Sequence, residues 1–357
     1  MHISTMPAMF IGGVAITAIL FLPADVETVT AESRDSGKAA PADTVEVKID
    51  EWKTPSNPPY PHDPAVAHDG SIWYTGQRAN VVGRFDPTNG QFKEFPLPTA
   101  NSGPHGLTED TAGNIWYTGN SAALIGKIDP KTGKVTEYKM PDPRARDPHT
   151  PIFDSRGILW FTVQGGNFVG TLDPKTGKIT LVPAPTADAR PYGIQLNSKE
   201  VPFFDEFNSN KIGSIDPKTM KITEYPLPDP GARPRRIAVA KDDTVYYSDY
   251  ARGYLGHLDP NTGKVEEFPS PGGAQSRPYA IGITSDGAVW YVETGDDAHN
   301  MLIRFVPETK KMQSFPIPGG GGTVRNLAIA PQDVIWLAES GVGKIARVTW
   351  KPAAGAR

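Results

Sequence analysis

Residues 71–98, SIWYTGQRANVVGRFDPTNGQFKEFPLP, recur with few changes as residues 114–141, NIWYTGNSAALIGKIDPKTGKVTEYKMP. Both copies place an aromatic strand before a glycine-centred turn, then an Asp-Pro turn and another strand. The aromatic marker of this pattern occurs in seven repeats, at Trp73, Trp116, Trp160, Phe203, Tyr246, Trp290 and Trp336. Successive markers are 43 to 46 residues apart. A period of this length with four strand-sized runs is typical of a β-propeller blade.

The repeat also explains how each strand begins and ends. Runs such as VTEY and FKEF alternate apolar and polar residues, as strands with one buried face do. The chain has 36 glycines and 36 prolines, which suits many short strands joined by tight turns. The sequence therefore predicts an all-β fold, a seven-bladed β-propeller of four-stranded blades.

The last repeat lacks its final strand, because the chain has no TEYPLP-like segment after Thr349. The segment 45–55, VEVKIDEWKTP, has that pattern. We expect this N-terminal strand to join the last blade and close the ring, which leaves no unpaired sheet edge there. An open solenoid is the competing architecture, but it would need polar capping repeats, and the sequence has none.

The ends of the chain differ from the repeats. Residues 1–24 contain the apolar run PAMFIGGVAITAILFLPA and predict a secretory signal peptide, with an uncleaved membrane anchor as the alternative. Residues 25–44 are small and polar and predict a linker without structure. We expect the propeller to span residues 45–350, with a tail at 351–357, in a periplasmic or secreted monomer.

Charge and composition exclude several classes of function. The formal net charge is −4 and neither sign dominates, so no nucleic-acid-binding surface is expected. The chain has no cysteine, which excludes disulfides, thiolate metal sites and Cys-linked haem. The run of four glycines at 319–322 is not followed by the Lys-Ser/Thr of a phosphate-binding loop, so no nucleotide cofactor is expected either.

The blade pattern in GPHGLTEDTAGNIWYTGN, residues 103–120, resembles that of the virginiamycin B lyase family, also called streptogramin B lyases. The resemblance covers residues 45–350 and implies a seven-bladed propeller. For the characterised members it implies elimination across the ester of a cyclic depsipeptide, with Mg²⁺ at the channel mouth. The family's catalytic pattern falls on Thr323, Tyr279, Arg325 and Glu339, of which only Glu339 has the family's residue type.

Two positions of the repeat flank the innermost hairpin and should face the channel. The first ring position lies eleven residues before the marker, at His62, His105, His149, Tyr192, Arg235, Tyr279 and Arg325. The second ring position lies three residues after it, at Gly76, Gly119, Val163, Glu206, Asp249, Glu293 and Glu339. Any function should sit where these residues converge.

Blades one to three carry the histidines. Neutral imidazoles that converge on an axis can bind a divalent metal or accept a proton. His105, Asp147 and His149, with Glu339, thus form a catalytic candidate that imitates the family's set in other blades. The alternative is that the imidazoles only cap backbone groups at the channel rim.

Blades four to seven carry acids and arginines. Glu206, Asp249, Glu293 and Glu339 predict a site for Mg²⁺ or another divalent cation, because such ions prefer carboxylate oxygens. The residues expected to contact a ligand are His62, Tyr192, Arg190, Arg233, Arg235, Arg277, Tyr279 and Arg325. The arginines suit an anionic ligand, and the tyrosines suit a planar one. Alternatively, arginine and acid pair within each blade, and the tyrosines merely fill the mouth.

Two functions follow from these residues. The first is a metal-assisted carbon–oxygen lyase or lactone-opening enzyme that acts on a small cyclic ester. The second is a non-catalytic propeller that binds an anionic or aromatic small ligand or a protein partner. We expect membrane contact only through an uncleaved N-terminal segment.

Overall fold

The computed structural model describes residues 44–296 and 298–354. Seven four-stranded antiparallel sheets make up this part of the chain, so the predicted seven-bladed β-propeller is confirmed. The only helical elements in the described residues are two 3₁₀ turns, Gly273–Gln275 and Pro331–Asp333. None of the described helices is long and apolar enough to span a membrane. The predicted signal peptide and nearly all of the predicted linker lie outside the described residues.

The first three blades are simple meanders. Blade one consists of β2 (Pro61–Val66), β3 (Ile72–Gly76), β4 (Val81–Asp86) and β5 (Gln91–Pro96). Blade two consists of β6 (Pro104–Glu109), β7 (Ile115–Gly119), β8 (Leu124–Ile128) and β9 (Val135–Lys139). Blade three consists of β10 (Pro148–Phe153), β11 (Leu159–Val163), β12 (Phe168–Asp173) and β13 (Lys178–Pro183).

The next three blades repeat this order. Blade four consists of β14 (Pro191–Leu196), β15 (Pro202–Glu206), β16 (Lys211–Ile215) and β17 (Ile222–Pro226). Blade five consists of β18 (Pro234–Val239), β19 (Val245–Asp249), β20 (Tyr254–Asp259) and β21 (Lys264–Pro269). Blade six consists of β22 (Pro278–Ile283), β23 (Val289–Glu293), β24 (Met301–Val306) and β25 (Lys311–Pro316).

Blade seven joins the two ends of the propeller, as the sequence predicts. Its strands are β26 (Val324–Ile329), β27 (Ile335–Glu339), β28 (Lys344–Pro352) and β1 (Val45–Lys53). β1 pairs with β28 from Val45 opposite Pro352 to Lys53 opposite Lys344. β28 therefore continues two residues beyond the predicted end of the propeller, because residues 351 and 352 still have partners on β1.

The first strands of all seven blades contact one another in a closed ring, from β2 and β6 round to β26 and back to β2. These strands surround the channel. Apolar clusters fill the spaces between neighbouring blades. In one of them Trp73 and Phe95 of blade one pack with Tyr117 of blade two. The seven aromatic markers are at most 6% exposed, which confirms that they belong to the core.

A glycine on the third strand explains a second constant feature of the repeat. Gly83 pairs with Tyr74 across β3 and β4, and the tyrosine ring lies over the glycine. A Cβ at Gly83 would come within 2.0 Å of that ring. Gly126 has the same relation to Tyr117, again at 2.0 Å. Only glycine leaves room for the ring, so this position is set by packing rather than by a turn.

Candidate functional site

The first ring position is the second residue of the first strand in every blade, from His62 on β2 to Arg325 on β26. In every blade the pairing of the first two strands is irregular at or just after this residue. Such irregularities change the direction of a side chain and are common beside functional sites. They account for the way the first ring side chains turn into the channel.

Hydrogen bonds between blades hold this ring in place. In four blades, a hydroxyl two residues after the marker donates to the carbonyl of the first ring residue in the next blade. These bonds are Thr75 to His105 at 2.6 Å, Thr118 to His149 at 2.7 Å, Thr162 to Tyr192 at 2.5 Å and Ser248 to Tyr279 at 2.8 Å. Because the acceptor is a backbone carbonyl, the frame does not depend on which side chain the ring carries.

The three histidines and Tyr192 form a continuous stack. The ring centroids are 3.7 Å apart from His62 to His105 and from His105 to His149, and 3.6 Å apart from His149 to Tyr192. All four side chains are buried. Burial lowers the pKa of His62 to about 4 and the pKa values of His105 and His149 well below the usual range. The imidazoles are therefore neutral near pH 7.

A buried ion pair crosses the channel next to the stack. Arg236 Nη2 of blade five donates hydrogen bonds of 3.0 Å to both carboxylate oxygens of Asp63 in blade one. Arg236 also donates to Thr150 Oγ1 at 3.0 Å, and Asn326 donates to Asp63 at 3.0 Å. His62 Nδ1 lies 2.8 Å from the same carboxylate. This cluster ties blades one, three, five and seven together.

The sequence reasoning missed this ion pair. Asp63, Thr150, Arg236 and Asn326 each follow a first ring residue directly, so they form a further layer of the channel. An aspartate and an arginine at the same place in two repeats were the available signal. Burial raises the pKa of Asp63, but the charge of Arg236 and the hydrogen bond with His62 together lower it more, so the net pKa lies below the usual range.

Arg235 lies among four aromatic rings at the channel mouth. Its guanidinium carbon is 4.1 Å from the ring centroid of Tyr279, 4.2 Å from that of Tyr250 and 4.5 Å from that of Phe207. The distance to the Tyr192 ring is 5.4 Å. Cation–π contacts of this kind orient a guanidinium without neutralising it.

Arg325 is bound in a similar way on the far side of Tyr279. Its Nη2 donates to Tyr60 Oη at 2.7 Å, and Arg78 lies 3.8 Å from the centroid of the same tyrosine ring. Among the described residues, neither Arg235 nor Arg325 forms an ion pair with a carboxylate, and the Nε atoms of both are buried without a hydrogen-bond partner. The mouth thus holds uncompensated positive charge.

Tyr192 and Tyr279 meet within the channel. Their hydroxyls form a short hydrogen bond, and both rings are buried. Burial and the neighbouring phenol raise the pKa of Tyr192. Burial also acts to raise the pKa of Tyr279, but the charges of the three arginines Arg235, Arg236 and Arg325, together with the hydrogen bond with Tyr192, lower it more, so its net pKa lies below the usual range. One phenol therefore serves as the donor and the other as the acceptor.

Two of the predicted metal ligands, Glu339 and Glu206, are buried beside a second glutamate of their own blade, and both oxygens of Glu339 lack a hydrogen-bond partner. Burial and the charge of Glu51 raise the pKa of Glu339 to about 8, and Glu51 itself is 2.6 Å from Lys344 Nζ. Burial and the charge of Glu224 raise the pKa of Glu206 to about 7. Both carboxyls are therefore partly protonated near neutral pH.

The other two predicted ligands also have partners within reach. Asp249 pairs with Arg252 at 2.6 Å, and Glu293 accepts hydrogen bonds from Ser270 Oγ and the Gly272 amide. In the described residues, one group of three or more potential metal ligands lies within 4.8 Å, and it contains His62, Asp63 and His105 but none of the four predicted acids. The positions of these acids therefore do not fit the predicted magnesium site.

The group of His62, Asp63 and His105 does not fit a cation either. Both oxygens of Asp63 already accept hydrogen bonds from Arg236. A metal bound there would lie beside a buried guanidinium, and the two positive charges would repel each other strongly at low dielectric. We therefore assign this group to the ion pair across the channel.

The outer arginines do not pair with the second ring acids. The arginines concerned are Arg190, Arg233 and Arg277. Arg190 pairs with Asp188 at 3.1 Å, and the Arg233 guanidinium donates to two backbone carbonyls. The guanidinium carbon of Arg277 lies 5.7 Å from the Tyr250 ring centroid. The alternative of ion pairs between these arginines and the second ring acids of their own blades is thus wrong, because the guanidiniums contact these other groups instead.

Asp147 of the displaced catalytic candidate lies at the rim of blade three. It accepts a short hydrogen bond from Asn120, and burial raises its pKa to about 6. His149 directs its Nδ1 to Thr150 Oγ1 at 2.9 Å. The two residues thus have separate hydrogen-bond partners, and the structure does not pair them as an acid and a base.

Beyond the ion pair, the channel opens into a cavity of about 390 Å³. The first strands of the seven blades form its walls, and Asp63, Thr150 and Asn326 lie at its inner end. The buried ion pair therefore separates this cavity from the arginine-rich mouth. Only the mouth contains the residues predicted from the repeat.

The chain is similar to known proteins in both sequence and structure. A profile of the virginiamycin B lyase family matches residues 36–196 and 174–354. A streptogramin B lyase structure is 27% identical, with a TM-score of 0.77, and the match covers 85% of this chain and 98% of that one. Staphylococcus aureus virginiamycin B lyase is 28% identical, with a TM-score of 0.77, over 85% of this chain and 99% of that one.

A third solved structure and the curated protein sequences give two further findings. A catalytically inactive variant of the Staphylococcus aureus enzyme, in complex with quinupristin, is 26% identical with a TM-score of 0.76, over 85% of this chain and 99% of that one. No curated protein sequence matches the chain at a significant level. The profile match spans nearly all of the propeller, so the chain belongs to the virginiamycin B lyase family.

Proposed function

We propose that the channel mouth binds a small anionic ligand with a carboxylate or phosphate group, and that the chain recognises this ligand without cleaving it. The observation that carries this proposal is the pair Arg235 and Arg325, two half-buried guanidiniums without a carboxylate partner in the part of the chain that the structure describes. A charge removed from water is costly unless it is paired. An anion between these groups would supply the missing pairing.

The chemistry of the arginines defines the ligand class. A guanidinium presents forked donors that match the oxygens of a carboxylate or phosphate. Arg235 is held by rings of Tyr250 and Phe207 that are only partly buried. These rings also offer apolar faces to a planar ligand. A small aromatic or otherwise planar carboxylate combines both features.

The family's elimination reaction has less support. The resemblance implies histidines where this chain has Tyr279 and Arg325, and an arginine cannot take up a proton as a general base. It implies a glutamate where this chain has Thr323. The mouth is positively charged, so a divalent cation has no favourable place there, and we derive no step through magnesium.

Carbon–oxygen lyase or lactone-opening activity is the second candidate, and one residue favours it. Glu339 matches the family's catalytic pattern, and its pKa is raised to about 8. A carboxyl group protonated near neutral pH can act as a general acid. Under this alternative, the anion bound at the channel mouth would be the carboxylate that is released when the ester is cleaved.

Calorimetric titration of the purified chain with inorganic phosphate, succinate and benzoate tests the first proposal. We expect binding of at least one anion, weakened about tenfold or more in Arg235→Gln and Arg325→Gln. Arg84→Gln is the matched control, because Arg84 forms a partly exposed ion pair with Asp69. Equal affinities in all three variants, or no binding at all, would refute the proposal.

A reaction assay separates the two candidates. Elimination opens the ring of quinupristin without adding water, so the product keeps the mass of the substrate and must be separated by chromatography. We expect the antibiotic to stay intact with and without Mg²⁺. Ring opening that is lost in Glu339→Gln would favour the lyase instead.

We also propose that the chain is exported, with residues 1–24 as its signal. Fractionation of cells that express the full chain, with amino-terminal sequencing of the product, tests this. A product that retains its first residues and stays in the cytoplasm would contradict export.

A further inference from the structure

Within the described part of the chain, Tyr279 lies in an unusually positive environment. Tyr279 belongs to blade six, between Arg235 of blade five and Arg325 of blade seven. The guanidinium carbon of Arg235 is 4.1 Å from the Tyr279 ring centroid. Tyr279 Oη also shares a short hydrogen bond with Tyr192 Oη. The phenol therefore lies at the centre of the uncompensated positive charge.

The groups that face Tyr279 come from several elements. β18 contributes Arg235 and Arg236, β26 contributes Arg325, β14 contributes Tyr192, and Tyr250 follows β19. Arg236 has its own counter-ion in Asp63. Asp205 on β15 lies near Arg236, but burial raises its pKa well above the usual range, so this carboxyl is protonated. None of these neighbours supplies a negative charge to Arg235 and Arg325.

We propose that Tyr279 carries the negative charge that balances Arg235 and Arg325 while the mouth is empty, and that an anion bound there takes over this role and returns a proton to the phenol. This inference rests on the proposed function. Atoms and charges balance, because the phenolate takes one proton from solvent when the anion arrives. Ligand binding and proton uptake are thereby coupled at one site.

The hydrogen bond between the two phenols supports this assignment. A phenolate at Tyr279 accepts a hydrogen bond from the Tyr192 hydroxyl, which stabilises the charged form. The pKa of Tyr279 is lowered and that of Tyr192 is raised, as expected when one oxygen is the acceptor and the other the donor. An exposed tyrosine ionises only near pH 10, so the charged form of Tyr279 can be observed separately.

Ultraviolet difference spectroscopy tests the charge, and calorimetry in buffers of different ionisation enthalpy tests the proton. We expect the tyrosinate band of up to one residue to appear well below pH 10. Saturating inorganic phosphate should remove it and should bring up to one proton into the protein. In Tyr279→Phe the early band and the proton uptake should both be absent, while phosphate still binds.

Two further variants guard against a loss of folding in Tyr279→Phe. Tyr192→Phe removes the donor and should shift the early band to higher pH. Tyr225→Phe is the control, because Tyr225 donates to or accepts from Ser214 at 3.3 Å in an outer strand. The control should leave the early band unchanged.

The two proposals fail in different ways. If phosphate binds without proton uptake and without loss of a tyrosinate band, the charge role of Tyr279 is refuted and the proposed function stands. If neither phosphate nor succinate binds, the proposed function fails and the coupling with it. An early band that persists in Tyr279→Phe would assign the charge to another residue and would also refute the inference.

Discussion

Replacement of Asp63 by asparagine should destabilise the propeller more than any exposed charge change. The side chain of Asp63 is 2% exposed and that of its partner Arg236 is 4% exposed. Asparagine keeps the shape of aspartate but removes the negative charge. Arg236 would then remain buried with a full positive charge and only neutral acceptors around it.

The expected loss follows from the burial of both partners. Removal of one member of a buried ion pair costs about 3–5 kcal/mol, mainly because the other charge stays uncompensated. The unfolding entropy is about 2.1 cal/mol/K per residue, which gives roughly 0.65 kcal/mol/K for a propeller of about this size. The melting temperature of Asp63→Asn should therefore fall by about 5–8 °C.

Thermal and urea unfolding followed by circular dichroism measure this loss. Arg84→Gln is the control, since removal of a partly exposed charge should cost at most about 1 kcal/mol. The double variant Asp63→Asn with Arg236→Gln should lose less than the two single variants together, because it leaves no unpaired charge. Asp63→Asn with the stability of the control, or strictly additive losses in the double variant, would refute the reasoning.

Three further predictions follow from the same structure. Glu339 has a raised pKa when folded, so it contributes stability that is lost as the pH rises from about 4.5 to about 8, and Glu339→Gln should flatten stability against pH in urea titrations. Gly83→Ala should cost about 1–3 kcal/mol, because its Cβ meets the Tyr74 ring, and the loss should shrink in Tyr74→Ala. Thr162→Val removes a hydroxyl bond between blades and should cost about 1–3 kcal/mol, whereas Thr162→Ser should cost less in the same unfolding assay.

The fold could be predicted because its signals are local and repeated. Each marker in the first five repeats, such as Trp73, lies at the same distance from its glycine and its Asp-Pro turn. Even the closing strand β1 was predictable, because the last repeat lacks one strand and residues 45–55 have its pattern. Each of these properties belongs to a single blade, and its recurrence along the chain makes the pattern easy to recognise.

The first ring position was predictable for the same reason. The second ring position differs from it, because its side chains lie farther from the channel axis. Neighbouring strands are about 4.8 Å apart, so a residue on the second strand lies that much farther from the axis. With seven blades, equivalent side chains on second strands are then about 4 Å farther apart than on first strands. This explains why Glu206 and Glu339 lie beside residues of their own blades and do not contact each other.

The ion pair across the channel could not be found from spacing alone. Asp63 and Arg236 are 173 residues apart in sequence, and no local pattern links two blades on opposite sides of a ring. The repeat shows that both residues occupy the same layer of the channel. It does not show that their side chains meet, because that depends on the small residues, such as Gly106 and Gly193, that other blades place in this layer.

In this fold a chain can belong to the family without keeping the family's catalytic residues, and the reason is structural. The bonds that hold the first ring, such as Thr162 to Tyr192, end on backbone carbonyls, and any side chain can occupy the ring position without disturbing them. Replacement of a histidine by Tyr279 or Arg325 therefore leaves the blades intact while it changes the charge of the mouth. The frame fixes where function takes place, and the seven ring side chains decide what it is. In this chain the proposed anion site lies where the resemblance implies a base.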